Sequence, residues 1–253
     1  MTIQQFNDAG ALASALASRI LESLRRAPGL VLGLPTGRTP LALYRELREQ
    51  SARTHADWSR TRTFNLDEFA GLGGADPGSY RAFMQAELFD HVSLDLAHVD
   101  MPDGRAADLA AECGRYEQAI AAAGGIDLLV LGIGVNGHIG FNEPAEGLQA
   151  RTHVAELQEA TRAANAPPFG GDLGRVPRRA LSMGMATILS ARDIVLIATG
   201  ANKAAAVAAM IGGPITPRLP ASFLQLHPRV VVMIDEAAAG PAGDRGPADP
   251  PTT

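Results

Sequence analysis

The chain has 253 residues, 46% of them apolar, and a formal net charge of −5 from 27 acidic and 22 basic residues. The charges are scattered, so no basic stripe is available for nucleic acid, and no segment reaches the roughly 18 unbroken apolar residues of a membrane span. Because Cys113 is the only cysteine and the start lacks a secretory signal pattern, we expect a cytoplasmic protein without disulfides, nucleic-acid partners or membrane contacts.

The first predicted element is a helix over residues 11–24, with Asn7 or Asp8 as its N-cap and Pro28 and Gly29 as its stop. Short apolar runs then predict buried strands at residues 30–34, 63–66, 127–131, 194–198 and 230–234. Helices are predicted near residues 40–49, 79–89, 108–123, 178–189 and 202–211.

This alternation of strands and helices predicts the fold class. We expect an α/β protein with a Rossmann-like, doubly wound, mostly parallel sheet and helices on both faces. Residues 1–239 would form a single domain, because no internal linker interrupts them. Residues 240–253 contain nothing to anchor a core and are predicted to be a disordered tail.

In such a sheet, the loops after the carboxyl ends of the strands lie side by side. We expect Thr39 to cap the helix that follows the first strand, with Pro40 at its first position, so that free N–H groups favour an anion. An ordinary strand-to-helix turn explains the loop equally well. The candidate anion loop consists of Pro35, Thr36, Gly37, Arg38 and Thr39.

Two adjacent carboxylates, Asp67 and Glu68, follow the second predicted strand. Burial and mutual repulsion could raise the pKa of one of them enough for it to serve as a general base. Solvated surface acids are the commoner explanation of such a pair, and only the position after a strand favours catalysis.

The loop after the third strand carries the most distinctive chemistry. From Gly132 onward it matches the dinucleotide fingerprint G-x-G-x-x-G, but no helix is predicted to follow, so we do not expect a dinucleotide. His138 is accompanied by Asn136 and Glu143, a set that favours general acid/base work. A lone histidine is more often structural.

Lys203 follows the fourth strand beside a helix start and could bind a phosphate, although a solvated lysine is the default interpretation. The sequence has no H-E-x-x-H pair, no P-loop and no G-x-S-x-G elbow, which are the motifs typical of zincin metalloproteases, P-loop nucleotide-binding proteins and α/β-hydrolases. His153 and His227 suit structural or surface positions, and no metal is predicted.

Together these segments resemble the glucosamine-6-phosphate deaminase family in the order and spacing of all four loops. The Gly-His-Ile-x-Phe-Asn-Glu-Pro element that begins at Gly137 is highly specific. The resemblance implies a deaminating aldose–ketose isomerase, without metal or organic cofactor, that converts glucosamine 6-phosphate or a close amino-sugar phosphate and water to fructose 6-phosphate and ammonia. The matching stretches are residues 32–44, 63–69, 77–80, 131–144, 151–153, 161–165 and 220–227.

The resemblance also implies a role for each candidate residue. His138 would assist opening of the sugar ring, with Asn136 and Glu143 in support, and Asp67 would move a proton from C2 to C1. The residues that would hold the substrate and its phosphate are those of the anion loop together with Glu68, Gly132 and Lys203.

Two positions depart from the family pattern. Pro167 stands where the family has an arginine that grips the substrate phosphate, and proline offers neither a charge nor an N–H group. Arg38 stands where the phosphate loop usually has a small residue, and its guanidinium could replace the missing one. Alternatively, the two changes mark a different acidic or unphosphorylated amino sugar.

Two other functions stay open at the level of sequence. A 6-phosphogluconolactonase would share the fold, but the intact pair of Asp67 and Glu68 and the Phe-Asn-Glu-Pro element favour the deaminase. A catalytically silent sugar-phosphate sensor would keep the fold without turnover, and the retained acid/base positions argue against it. No obvious assembly helix is present, so we expect a monomer or a small homo-oligomer.

Overall fold

The computed structural model describes residues 1–240. Its strands are β1 (Thr2–Phe6), β2 (Val31–Leu34), β3 (Arg62–Asn65), β4 (Asp67–Phe69), β5 (Val99–Asp100), β6 (Leu128–Gly132), β7 (His153–Glu156), β8 (Arg179–Ser182), β9 (Asp193–Ala198) and β10 (Val230–Asp235). Its α-helices are α1 (Ala9–Arg26), α2 (Leu41–Thr54), α3 (Tyr80–Glu87), α4 (Leu109–Ala122), α5 (Glu159–Ala164), α6 (Met185–Leu189), α7 (Ala204–Gly212) and α8 (Glu236–Ala239). Of the predicted tail, residues 241–253 lie outside the described part.

Seven strands form a parallel sheet in the order β1-β10-β9-β6-β2-β3-β5. Its central strands are buried on both faces, and one apolar core lies on each side. Successive residues of β6 show this alternation, because Leu128 and Val130 join the core under α1 and α2, whereas Leu129 joins the core under α4 and α7. The predicted doubly wound α/β fold is confirmed.

A second, antiparallel sheet in the order β4-β8-β7 was not predicted. The helix predicted over residues 178–189 is therefore wrong in its first half, where β8 pairs with strands on both sides. Only α6 remains of that helix, and it begins after Gly184, where a Cβ would lie 2.2 Å from the carbonyl oxygen of Arg151. Tertiary pairing has overridden the local helical pattern.

Two predicted helix starts can be compared with the structure. Asp8 caps α1, since its Oδ1 accepts a hydrogen bond from the backbone N–H of Ala11 at 2.8 Å, and Asn7 does not take that place. The cap predicted for Thr39 is wrong, because Pro40 occupies the cap position of α2 and no side-chain bond closes it. None of the helices in residues 1–240 is long and apolar enough to cross a membrane.

Candidate active site

Asp67 lies where the chain passes from the large sheet to the small one, with β3 ending at Asn65 and β4 beginning at Asp67 itself. The prediction that it follows a strand in a loop is thus corrected: it begins a strand. Its side chain is buried, and the hydroxyl of Thr36 donates to its Oδ1 at 3.3 Å. Burial and the neighbouring Glu68 charge raise the pKa of Asp67 from 3.8 to about 7. This carboxylate is poised to exchange a proton near neutral pH.

Glu68 points into the protein and organises the start of α3. It accepts hydrogen bonds from the backbone N–H groups of Phe69, Tyr80 and Arg81 and from the Ser79 hydroxyl, at 2.8 to 3.0 Å. Burial raises the pKa of Glu68, and these four bonds oppose the rise. Glu68 is therefore no solvated surface acid, and a substrate contact at this carboxylate would compete with its existing partners.

Asn136, His138 and Glu143 are brought together in the loop after β6. The Asn136 amide donates to Glu143 Oε2 at 2.9 Å, and its Oδ1 accepts from the backbone N–H of His138 at 3.2 Å. His138 Nδ1 lies 3.5 Å from the same Glu143 oxygen, at the outer limit of a hydrogen bond. The arrangement can orient the imidazole.

A fourth residue, Thr161 of α5, completes this cluster by donating a hydrogen bond to Glu143 Oε1. Burial alone would raise the pKa of Glu143, but its contacts with His138, Thr161 and Asn136 outweigh burial and hold the pKa below its usual range. Sequence reasoning assigned Thr161 no role, because its contact joins segments that only the fold brings together.

Two glycines of this loop allow a close contact with the His138 ring and a tight turn of the backbone. A Cβ on Gly134 would lie 2.3 Å from the His138 ring, and Gly137 has a φ of +83° with Leu219 against it. No helix follows before β7, as predicted, so the loop lacks the helix that the dinucleotide fingerprint should open. Gly132 closes β6 directly before this loop.

The loop of residues 35–39 passes beside Asp67 and is held by a hydrogen bond from the Tyr44 hydroxyl to the Pro35 carbonyl. Gly37 has a φ of +95°, a turn conformation that suits glycine, and the next residue, Arg38, is exposed. Neither Arg38 nor Lys203 forms an ion pair in the part of the chain that the structure describes.

Lys203 is half-buried before α7, and burial together with the positive charge of Arg38 lowers its pKa. Lys203 thus feels the charge of Arg38, and neither cation has a carboxylate partner within residues 1–240, a combination that suits an anion. Lys203 was predicted from its position after the fourth strand, and the fact that it is the single lysine among the 22 basic residues was not used.

Residues 159–176 approach the cluster from the side of α5. The Tyr80 hydroxyl donates to Asn165 Oδ1 at 3.0 Å, and burial followed by the nearby Asp67 charge raises the Tyr80 pKa well above its usual value. Pro167 is exposed in the turn that follows. The nearby Arg162 is held by the carbonyls of Leu173 and Val176, so it does not take the place of a phosphate-binding arginine.

No group of three or more His, Cys, Asp or Glu side chains within residues 1–240 is arranged to hold a metal ion. A ring nitrogen of His153 lies 3.1 Å from the Arg151 carbonyl, and one of His227 lies 2.8 Å from the Ala191 carbonyl. Both histidines therefore have structural contacts, separate from the cluster around His138.

A family model described as glucosamine-6-phosphate isomerases/6-phosphogluconolactonase matches residues 7–233. The chain is 47% identical over 244 residues to a glucosamine-6-phosphate deaminase of Cellvibrio japonicus, covering 96% of this chain and 92% of the relative. It is 51% identical over 224 residues to the deaminase of Rhodopirellula baltica, covering 88% and 89%.

Two solved structures of the family resemble this chain to different degrees. A monomeric glucosamine-6-phosphate deaminase superimposes with a TM-score of 0.92 at 42% identity, covering 94% of this chain and 99% of that one. A 6-phosphogluconolactonase from Trypanosoma cruzi superimposes with a TM-score of 0.76 at 20% identity, covering 96% and 97%. The second likeness is one of fold alone.

Proposed function

Because the chain belongs to the glucosamine-6-phosphate isomerase/6-phosphogluconolactonase family, we propose that its site performs deaminating isomerisation, converting glucosamine 6-phosphate and water to fructose 6-phosphate and ammonia. The observation that carries the proposal is the buried Asp67, whose pKa is about 7 and whose strand partner Ser182 also accepts a hydrogen bond from Phe141 in the loop that carries His138 and Glu143. Identities of 46% to 51% with deaminases, against about 20% with lactonases, favour deamination over lactone hydrolysis.

Ring opening comes first in this proposal. His138 takes the proton of the C1 hydroxyl and delivers a proton to the ring oxygen, so that the bond between C1 and the ring oxygen breaks and the open-chain aldehyde forms. Glu143 keeps the imidazole oriented, and Asn136 holds the Glu143 carboxylate in place. No metal or organic cofactor is required.

Asp67 then performs the isomerisation. It takes the proton from C2 while a proton passes from the substrate's ammonium group to O1, which gives an enolamine. Asp67 then returns its proton to C1, which becomes a CH₂OH group and leaves an iminium at C2. Water adds to C2 and ammonia leaves, so the product is a ketose phosphate. One carboxylate serves both carbons because they are adjacent, and a pKa of about 7 lets Asp67 accept and release the proton readily.

The phosphate would be held by the loop of residues 35–39 and by Lys203, with Arg38 supplying the guanidinium that Pro167 cannot. What supports this is that Arg38 and Lys203 approach each other without an acidic partner within residues 1–240. Arginine suits bidentate phosphate recognition, and lysine adds a point charge. Gly132 would line the same space, whereas Glu68 would act on the substrate only through its effect on the pKa of Asp67.

We further propose that residues 1–239 act as one domain, because the two sheets are joined by the short passage from β3 to β4. Strand β3 of the large sheet ends at Asn65, and Asp67 already pairs with Ser182 of the small sheet. The chain would act as a monomer or small homo-oligomer in the cytoplasm on a small-molecule amino-sugar phosphate. Its similarity to a monomeric deaminase supports the smaller assembly.

An ammonia-release assay tests this function. Glucosamine 6-phosphate, galactosamine 6-phosphate and unphosphorylated glucosamine are offered to the native protein and to Asp67→Asn. We expect release from glucosamine 6-phosphate by the native protein alone. No ammonia from any sugar would overturn the deaminase, whereas equal rates with unphosphorylated glucosamine would overturn the phosphate assignment.

A further inference from the structure

A groove of about 610 Å³ contains none of the residues assigned to the active site. Three arginines line it, Arg105 from the loop before α4 and Arg178 and Arg179 at the start of β8. Between them the wall is made of small residues, among them Ala70, Gly71 and Gly104. Small side chains leave room for a ligand to reach the arginines, and the volume suits a small molecule.

The charges of this groove are unbalanced. No acidic residue lines it, although the protein carries a net charge of −5. Arg105 has an acidic partner outside the lining, Asp76, at 2.7 Å. Arg178 and Arg179 form no ion pair within residues 1–240. Guanidinium groups without a counterion suit phosphate and carboxylate groups, which they bind in a bidentate manner.

Strand β8 connects the groove to the catalytic base. At its groove end, the Arg179 carbonyl accepts a hydrogen bond from the backbone N–H of Ala70 at 2.9 Å. At its other end, Ser182 pairs with Asp67, and the Ser182 hydroxyl accepts from the Phe141 backbone N–H at 3.0 Å. The two ends are about 10 Å apart at the usual rise of a strand.

We propose that this groove binds a small polyanion, a metabolite with phosphate or several carboxylate groups, and that its occupation changes turnover through β8. The change in turnover rests on the deaminase activity proposed above, whereas the binding itself does not. A ligand bound by Arg178 and Arg179 shifts β8, and β8 carries Ser182, the residue that pairs with Asp67. The ligand thereby changes the position of Asp67 without touching the substrate.

Isothermal titration with inorganic pyrophosphate tests the site. We expect Arg178→Ala/Arg179→Ala to bind one pyrophosphate fewer than the native protein. The matched control is Arg53→Ala/Arg60→Ala, which removes the same charge from two exposed arginines elsewhere and should bind as the native protein does. Equal stoichiometry in all three proteins, or an equal loss in the control, would overturn the site. If the double variant does not fold, Arg178→Gln and Arg179→Gln should each weaken groove binding about tenfold.

The effect on turnover is measured with saturating glucosamine 6-phosphate, because competition at the substrate site then leaves kcat unchanged. Pyrophosphate should change kcat at least about twofold in the native protein and in the control, and not in Arg178→Ala/Arg179→Ala. Groove binding without a change in kcat would overturn the regulatory role. A native protein that releases no ammonia would instead overturn the proposed function, and the calorimetric comparison would still decide the site.

Discussion

Thr161 donates a hydrogen bond to one oxygen of Glu143, and the other oxygen of the same carboxylate faces Asn136 and His138. Both sides of the carboxylate are thereby fixed, one by the loop after β6 and the other by α5. Because α5 also leads to Asn165, which contacts Tyr80, this helix is tied to Glu143 by Thr161 and to the start of α3 by Asn165. The acid/base machinery thus depends on a helix that carries none of its proton-transferring groups.

Replacing Thr161 with valine should lower kcat about tenfold and leave KM nearly unchanged, since a hydrogen bond to a charged group contributes about 1.5 to 3 kcal/mol and this one orients Glu143 rather than substrate. Steady-state kinetics of ammonia release measure both constants. Thr161→Ser keeps the hydroxyl and should retain most of the activity. A valine variant with native kcat would show that Glu143 needs no support from α5.

The pH dependence of the reaction should follow Asp67. As a base it must be deprotonated, so kcat/KM should fall as the pH drops through about 7. The Thr36 hydrogen bond lowers this pKa, so Thr36→Val should move the fall in activity to higher pH. Thr36→Ser is the control. A Thr36→Val profile that overlies the native one would contradict the assignment of this limb to Asp67.

Asp67 should also make the folded protein less stable at high pH. Its pKa is raised in the folded state, so the native state binds more protons than the unfolded state between pH 3.8 and about 7, and stability is lost as pH rises through that window. A rise from 3.8 to about 7 corresponds to about 4 kcal/mol.

Asp67→Asn removes this cost, and we expect it to be inactive yet more stable than the native protein by up to about 4 kcal/mol at pH 8. At pH 4 the two proteins should differ little. Urea unfolding at both pH values measures the free energy of unfolding. A difference in stability that is the same at pH 4 and pH 8 would argue against a raised pKa in the folded state.

The phosphate end of the pocket makes a separate prediction. Arg38→Ser should raise KM for glucosamine 6-phosphate about tenfold or more, with a smaller effect on kcat, because the lost contact is made with bound substrate before and during the reaction. Arg53→Ser, an exposed arginine outside the pocket, is the matched control. An unchanged KM would reject the idea that Arg38 compensates for Pro167.

Five of the seven strands of the large sheet were predictable, because burial makes them short apolar runs. The two edge strands, β1 and β5, were not predicted, since they are exposed or half-buried and carry no such run. Because the carboxyl ends of parallel strands share one edge of the sheet, the sequence also placed Asp67 and His138 at that edge, just past β3 and β6. The small sheet was not predictable, since Asp67 pairs with Ser182 across more than a hundred residues and neither strand is an apolar run. Likewise, only the fold reveals that Glu68 accepts hydrogen bonds from the first N–H groups of α3 and that Thr161 reaches Glu143.

The role of Lys203 can be tested by chemical modification of the native protein, because it is the only lysine in the chain and its pKa is lowered by burial and by Arg38. An amine-directed reagent such as trinitrobenzenesulfonate at pH 8 should therefore modify one side chain besides the N-terminus, and modification should abolish ammonia release. Inorganic phosphate should slow the modification if Lys203 binds the substrate phosphate. Lys203→Arg keeps the charge but resists the reagent, so it should retain part of the activity after treatment; inactivation of this variant at the native rate would place the reactive group elsewhere.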